Sequence, residues 1–238
     1  MKKWETKCSC TIYQILSGRS NSFLLSNEKR FILIDTGRKN SYKSLIQRLE
    51  GFGVNENSLI ALILTHTHFD HAENVLKIKE KFKPKLYVHQ TEAKYLMKGE
   101  NPSINGTNYI TKFFTDLFAT DILQRIKYSP AKYDYLINDN YNLELLGFKA
   151  CIIHTPGHTV GSISIIINNE IAIVGDAMFG IFKESVYPPF ADDPKLMIKS
   201  WGKLLDTGCS IFLPAHGTSN SRELLQRQYD KYKKRFGL

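Results

Sequence analysis

Residues 65–71 read Thr-His-Thr-His-Phe-Asp-His and follow directly on the apolar run Leu-Ile-Ala-Leu-Ile-Leu at 59–64. A run of that length and composition is a buried strand. In an extended exit from it, positions 66, 68 and 70 project to one side, and His71 opens the next helix. His66, His68, Asp70 and His71 therefore crowd one strand end. An apolar core cannot satisfy that many polar groups without a compensating charge. A divalent metal supplies it, and imidazole nitrogen with carboxylate oxygen suits zinc, iron or manganese.

Three further clusters also follow strands. His154-Thr155-Pro156-Gly157-His158-Thr159 places Pro and Gly so that a turn presents His158 from a loop. His154, at the end of the preceding β run, reads as a hydrogen-bonded strand histidine. Residues 172–176, Ala-Ile-Val-Gly-Asp, deliver Asp176 at a strand tip, and residues 212–217, Phe-Leu-Pro-Ala-His-Gly, deliver His216. His89 ends the strand Leu-Tyr-Val-His and is expected at the surface or behind a ligand rather than as a ligand.

Between these clusters strand and helix periods alternate. Strands are expected at 10–16, 22–26, 30–34, 59–64, 86–88, 141–145, 148–153, 162–167, 170–174 and 211–213. Helices are expected at 42–52, 71–82, 92–97, 109–126, 194–206 and 221–235. Asn168-Asn169 is a two-residue hairpin turn. The loop Asn-Pro-Ser-Ile-Asn-Gly-Thr-Asn at 101–108 introduces the aromatic-rich 109–126 segment.

The 238 residues, 42% hydrophobic and 23% charged, suffice for a full core without disulfides and exclude a disordered or fibrous chain. No apolar run approaches the ~20 residues of a membrane span, and no signal-peptide segment follows the basic start. A cytoplasmic protein with reduced thiols at Cys8, Cys10, Cys151 and Cys209 is expected. Most of the net charge of +9 sits in residues 77–85 and 222–238, which read as solvated helix faces rather than a nucleic-acid footprint.

Taken in order, Thr-His-Thr-His-Phe-Asp-His, Thr-Pro-Gly-His-Thr, Gly-Asp after a strand and Pro-Ala-His-Gly resemble the signature of the metallo-β-lactamase superfamily. The strand ending in Asp35-Thr36-Gly37 is similar to that family's first motif. The resemblance runs from about residue 13 to 217. It implies an α/β fold, a four-layer αβ/βα sandwich of two mixed β-sheets with outer helices and metals at one edge. It also implies that His66, His68 and His158 hold one metal, that Asp70, His71 and His216 hold a second, and that Asp176 bridges both. Asp35 is expected near the metals as a loop-organising hydrogen-bond acceptor rather than a ligand, and Thr159 behind the ligands. With two dications, two aspartates and a bridging hydroxide the centre keeps one net positive charge, suited to polarising a carbonyl and acidifying water.

Departures narrow the branch. Asp176 stands where one group of zinc β-lactamases has cysteine, and His68 where the diiron flavoproteins have glutamate. Glu73 stands where many hydrolases of the family have glycine. The 22 residues after His216 are too few for a glyoxalase II-type helical domain, so a bare catalytic domain over 1–238 is expected, with a helical insertion or cap at about 98–130.

The implied activity is that of a dinuclear zinc hydrolase acting on a small-molecule ester, thioester, lactone or amide, with iron or manganese as the other metals that fit. A bridging hydroxide attacks the carbonyl, and Asp70 or a metal-bound water handles the proton. Three alternatives stay open: a phosphodiesterase or ribonuclease, a mononuclear iron enzyme resembling the persulfide dioxygenases, and a non-catalytic metal-binding protein. Phe69, Phe114 and Phe118 are expected to line the substrate pocket, favouring apolar substrates. A homodimer surface is the other use of the 109–126 stripe.

Overall fold

The computed structural model describes residues 1–8, 10–115, 117 and 126–238. Seven strands form one sheet in chain order: β1 (Lys3–Glu5), β2 (Thr11–Leu16), β3 (Ser22–Ser26), β4 (Phe31–Ile34), β5 (Leu59–Ile63), β6 (Lys85–His89) and β7 (Tyr135–Ile137). Pairing is antiparallel up to β4 and parallel from β4 to β7. Six strands form the other: β8 (Asn140–Asn142), β9 (Ala150–His154), β10 (Ile163–Ile167), β11 (Ile171–Gly175), β12 (Ile211–Pro214) and β13 (Asn220–Ser221). Only β11 and β12 run parallel there. The helices are α1 (Tyr42–Gly51), α2 (Phe69–Ala72), α3 (Val75–Phe82), α4 (Ala93–Lys98), α5 (Tyr109–Phe114), α6 (Pro194–Asp206) and α7 (Arg222–Phe236).

Strand alternation sorts the apolar side chains into three packed cores. Ile32 and Ile34 of β4 turn inward to meet Ile163, Ile165 and Ile173 of the other sheet. Leu33, between them, turns outward onto Leu45 and Leu49 of α1 and Val75 and Ile78 of α3. On the far side Ile166, Val174 and Phe212 pack beneath Met197, Trp201 and Leu204 of α6 and Leu225 and Tyr232 of α7. Both faces of each sheet are covered, which explains why the central strands read as continuous apolar runs. The expected four-layer sandwich of two mixed sheets is the fold observed.

Some elements differ from the sequence pattern. The helix expected over 71–82 is two helices, α2 and α3, broken at Glu73-Asn74. Asn74 Nδ2 donates to Thr36 O at 2.9 Å and Arg38 O at 2.8 Å, and its amide donates to Thr36 Oγ1. These bonds draw the chain onto the loop after β4 instead of into a helical turn. The strand expected at 141–145 ends at Asn142, whose Oδ1 accepts Glu144 N at 2.8 Å and starts a 3₁₀ turn. The edge strands β1, β7 and β13, of three, three and two residues, are too short to show a period. Of the 109–126 helix, α5 covers the first six residues and residue 126 is not helical; Asp116 and residues 118–125 lie outside the described residues.

The hairpin at Asn168-Asn169 is as expected, both residues taking φ near 54° (53° and 54°), as a type I′ turn requires. All four cysteines are free thiols. Among the described residues no helix is long and apolar enough to cross a membrane.

The α6 layer also braces the site. Trp201 is fully buried and its indole N–H donates to Ala177 O at 2.6 Å, one residue beyond Asp176. Trp201→Ala should destabilise the protein by about 3–5 kcal/mol in urea unfolding, and Trp201→Phe should recover most of that loss.

Candidate metal centre

Four of the clusters meet at one edge of the sandwich, where β4, β5, β11 and β12 end. Because β4–β5 and β11–β12 are parallel pairs, their carboxyl ends face the same way. Asp35 follows β4, His66 to His71 follow β5, Asp176 follows β11, and His216 follows β12. His158 enters from the β9–β10 connection. Gly175 lets the two sheets close together here. It has φ of 51°, and a Cβ at this position would lie 2.8 Å from Thr65 Cβ.

All seven side chains expected as ligands converge. Single ligand atoms of His66, His68 and His158 lie within 4.8 Å of one another, as do those of Asp70, His71 and His216, and those of His66, His71 and Asp176. Asp176 stands between the two outer groups. Its Oδ1 is 3.6 Å from His71 Nε2, and its Oδ2 is 3.5 Å from His158 Nε2 and 3.2 Å from His216 Nε2. Asp70 Oδ2 lies 3.5 Å from His216 Nε2. His66 and His71 are fully buried, whereas the His216 and Asp70 side chains are 15% and 18% exposed.

Hydrogen bonds from outside the cluster fix the ring tautomers. Asp35 is 2% exposed and holds φ of 58°; its carboxylate accepts Thr65 N at 2.8 Å, Thr65 Oγ1 at 2.7 Å and His71 Nδ1 at 2.8 Å. His158 Nδ1 donates to Phe190 O at 3.0 Å, and His66 Nδ1 lies 3.2 Å from Thr65 Oγ1. In each case Nε2 is the nitrogen that faces the cluster centre. His68 faces His158 the other way, Nδ1 to Nε2 at 3.1 Å. His66 Nε2, His68 Nε2, His71 Nε2 and Asp176 Oδ1 are buried without a hydrogen-bond partner. Buried polar atoms are rarely left so. A donor set of imidazole nitrogens and carboxylates with orphaned lone pairs fits divalent metal.

The charges in the metal-free chain agree. Burial, then the neighbouring histidines His71, His158 and His68, hold the His66 pKa well below its ordinary value. Burial and His158 lower His68 to about 4, with Asp70 and Glu92 opposing. Burial also disfavours charge on His71, but Asp35, Asp176 and Asp70 outweigh it and raise its pKa to about 10. Burial likewise opposes charge on Asp176, yet His216, His71 and His158 keep its carboxyl well below the usual carboxylate range.

The other expected site residues are placed as follows. Thr159 lies in the His158 loop, its Oγ1 2.9 Å from Ser162 Oγ and its amide donating to that same oxygen, so it closes the loop rather than touching a ligand. Phe69 is half-buried, with the Arg38 guanidinium 5.0 Å from its ring centroid. Phe118 and the Phe114 side chain lie outside the described residues. His89 is not at the surface: it is 2% exposed and stacks on His154 at 4.2 Å. His154 Nε2 donates to Val160 O at 2.8 Å, the bonded strand histidine expected.

Two residues the sequence did not single out complete the support. Asn21 donates from its amide to Ala215 O at 2.7 Å and from Nδ2 to Pro214 O at 2.9 Å and Gly217 O at 3.0 Å, bracketing His216. Glu92 binds the loops carrying His66, His68 and His158. A polar residue beside a hairpin and an acid at a helix start are common surface features, so neither carried a signal.

A sandwich of two mixed sheets with a histidine–aspartate centre at the strand ends defines the class. Residues 17–216 match the model of the metallo-β-lactamase superfamily, and the chain belongs to that superfamily. It is 34% identical over 160 residues to the probable metallo-hydrolase of Methanocaldococcus jannaschii, 67% of this chain and 68% of that one. It is 30% identical over 161 residues to the probable metallo-hydrolase of Streptococcus pyogenes, 67% of this chain and 62% of that one. The match to the streptococcal protein thus spans less than two thirds of its length. Among solved structures, a metallo-β-lactamase superfamily protein from Sulfolobus tokodaii aligns with a TM-score of 0.66 at 20% identity, over 92% of this chain and 85% of that one. The subclass B3 metallo-β-lactamase MEM-A1, from a soil metagenome library, aligns with a TM-score of 0.71 at 17% identity, over 98% and 95%. Both show the same fold.

Asp35, Asp176 and Asp70 hold a proton on His71 in the metal-free chain, and an ion taking Nε2 as a ligand would displace it. Loading metal-free protein with Zn²⁺ at pH 7.5 should release about one proton or more per chain, read by calorimetry in buffers of different ionisation enthalpy. His71→Ala should reduce that release.

Proposed function

We propose that this chain is a metal-dependent hydrolase carrying two divalent ions, zinc foremost, that cleaves a small thioester or related ester, lactone or amide. The observation that carries the reading is the pair of three-residue ligand groups flanking Asp176, with His66 Nε2, His71 Nε2 and Asp176 Oδ1 buried and unpartnered among them. Seven donors exceed what a single four-coordinate ion uses. The thioester preference draws on two relatives. The hydroxyacylglutathione hydrolase of Haemophilus influenzae is 29% identical over 203 residues, 83% of this chain and 84% of that one. The atrochrysone carboxyl ACP thioesterase of Aspergillus chevalieri is 26% identical over 200 residues, 83% of this chain and 51% of that one.

Divalent ions bound there would polarise the scissile carbonyl and make water acidic enough to yield hydroxide near neutral pH. The chain's own residues do the rest. Asp35 keeps His71 in the tautomer whose Nε2 faces the centre, and Phe190 O does the same for His158. Asp70, the most exposed carboxylate of the set, is placed at the rim to take the proton from the attacking water and pass it to the leaving group. Phe179 packs on the His216 ring at 4.6 Å, and Gly180 pairs with Gly217, which sets exposed Ile181 and Phe182 beside the His216 loop. That apolar rim supports substrates with an apolar acyl or leaving group.

Metal analysis of protein purified without added metal should give close to two ions per chain. A reproducible value near one, as iron, with oxygen consumed during turnover would replace this reading by the dioxygenase. Asp70→Ala and His158→Ala should each abolish hydrolysis across a thioester and ester panel, while His89→Ala and His154→Ala should retain most activity. Phe182→Ala should raise KM for apolar substrates several-fold with metal content unchanged.

A further inference from the structure

Glu92, the residue before α4, is 1% exposed, yet among the described residues no cation lies within salt-bridge distance of its carboxylate. A buried charge without a counter-ion is costly unless hydrogen bonds satisfy it. Here Oε2 accepts Thr67 N at 2.9 Å and Thr67 Oγ1 at 2.5 Å, and Oε1 accepts Gly161 N at 3.2 Å. Thr67 stands between His66 and His68. Gly161 stands three residues beyond His158 in the same loop. One carboxylate thus joins the two separate chain segments that bring in the three histidines.

The surroundings are shaped for this contact. A Cβ at Gly161 would lie 2.5 Å from Glu92 Cγ and would also strike Thr91 Oγ1, so glycine is what lets the loop reach the carboxylate. The opposite side of that loop is tied by His154, through Val160 O. Tyr128 Oη donates to Thr67 O at 3.0 Å, completing the backbone partners of Thr67. The electrostatics are equally asymmetric. The Asp70/His71/His216 group has Asp70 as a donor and Asp35 behind it, whereas the donors of the tri-histidine group are all neutral. Glu92, bonded to the residue between His66 and His68, adds a carboxylate behind this half.

We propose that Glu92 is the positioning residue of the tri-histidine half: it sets the spacing of His66, His68 and His158 by tying Thr67 to Gly161, and its charge offsets the ion held between them. The inference rests on reading this centre as metal-binding. Gln is the discriminating substitution. Its shape is nearly that of Glu, but its NH₂ must face either the two Thr67 donors or the Gly161 N–H, donor against donor.

The experiment is Co²⁺ titration of metal-free full-length protein, followed by visible absorption and alongside the thermal midpoint of the metal-free form. The bands lost in His158→Ala mark the tri-histidine half. In Glu92→Gln this half should bind Co²⁺ 10–100-fold more weakly, on the order expected for groups that hold a ligand, with the midpoint near wild type and the other half unchanged. Thr67→Ser, which keeps the hydroxyl, should behave as wild type, and Asp35→Asn should weaken the opposite half. If Glu92→Gln does not fold, Thr67→Val, which removes one of the three bonds, should still weaken the tri-histidine half. Equal loss at both halves with a lowered midpoint would make Glu92 a structural residue and overturn the proposal. So would unchanged Co²⁺ affinity in Glu92→Gln or, should that variant not fold, in Thr67→Val. Absence of Co²⁺ uptake by the wild type would instead remove the metal reading itself, and the clamp with it.

Discussion

Five histidines and two aspartates crowd together at one edge of an apolar sandwich, and much of the chain's local structure serves to hold them there. His68 and His158 bring ring nitrogens to 3.1 Å while burial keeps both from charging. In water such rings would part. They stay because the restraints come from behind: Asp35 on Thr65 and His71, Asn21 on the backbone either side of His216, Phe190 O on His158, and Glu92 on Thr67 and Gly161. Each restraint is a hydrogen bond made outside the cluster, so the donors' remaining lone pairs stay free for an ion.

The sheet topology divides that labour unevenly. Strands β4, β5, β11 and β12 deliver Asp35, the His66–His71 run, Asp176 and His216 from the carboxyl ends of two parallel pairs, in register with one another. His158 arrives from an antiparallel connection, where no strand end aims it. That loop is accordingly the most heavily tied: Asp193 N donates to Gly157 O, Asp192 N to His158 O, and Ser200 Oγ to Pro156 O, in addition to the Glu92 and His154 bonds. The start of α6, where Asp193 caps the helix at Leu196 N, is thereby joined to the centre.

The strands and helices were legible as local patterns, whereas the sandwich and the convergence of the seven side chains were expected from the resemblance of the four motifs to those of the superfamily. The long apolar strands and the 194–206 helix have periods a short window reveals, and the four clusters sit directly after them. What was not legible is what depends on distant partners. The break at Asn74 comes from carbonyls 36 and 38 residues away in the chain. The burial of His89 comes from its stack on His154, 65 positions on. Glu92 reads locally as an ordinary helix-start acid; only the return of the chain at Gly161 shows what its carboxylate does. Thr159 was placed by its neighbour His158, but its hydroxyl turns to Ser162 instead.

Exposure within the centre also fixes how a substrate must approach. His66 and His71 are sealed beneath the cluster, while Asp70 and His216 keep part of their surface open. The open side is therefore the Asp70/His216 side. It is bordered by the segment that follows Asp176, where Phe179 lies on the His216 ring and Ile181 and Phe182 face solvent. On the proposed function, a carbonyl entering there would meet the carboxylate-bearing half first, with the tri-histidine half behind it. Asp70 lies on the solvent side, where in that reading a proton would leave with the departing group and the apolar rim would contact the part of the substrate that remains outside. The partial exposure of Asp70 and His216 against the burial of the other donors thus gives the site a direction.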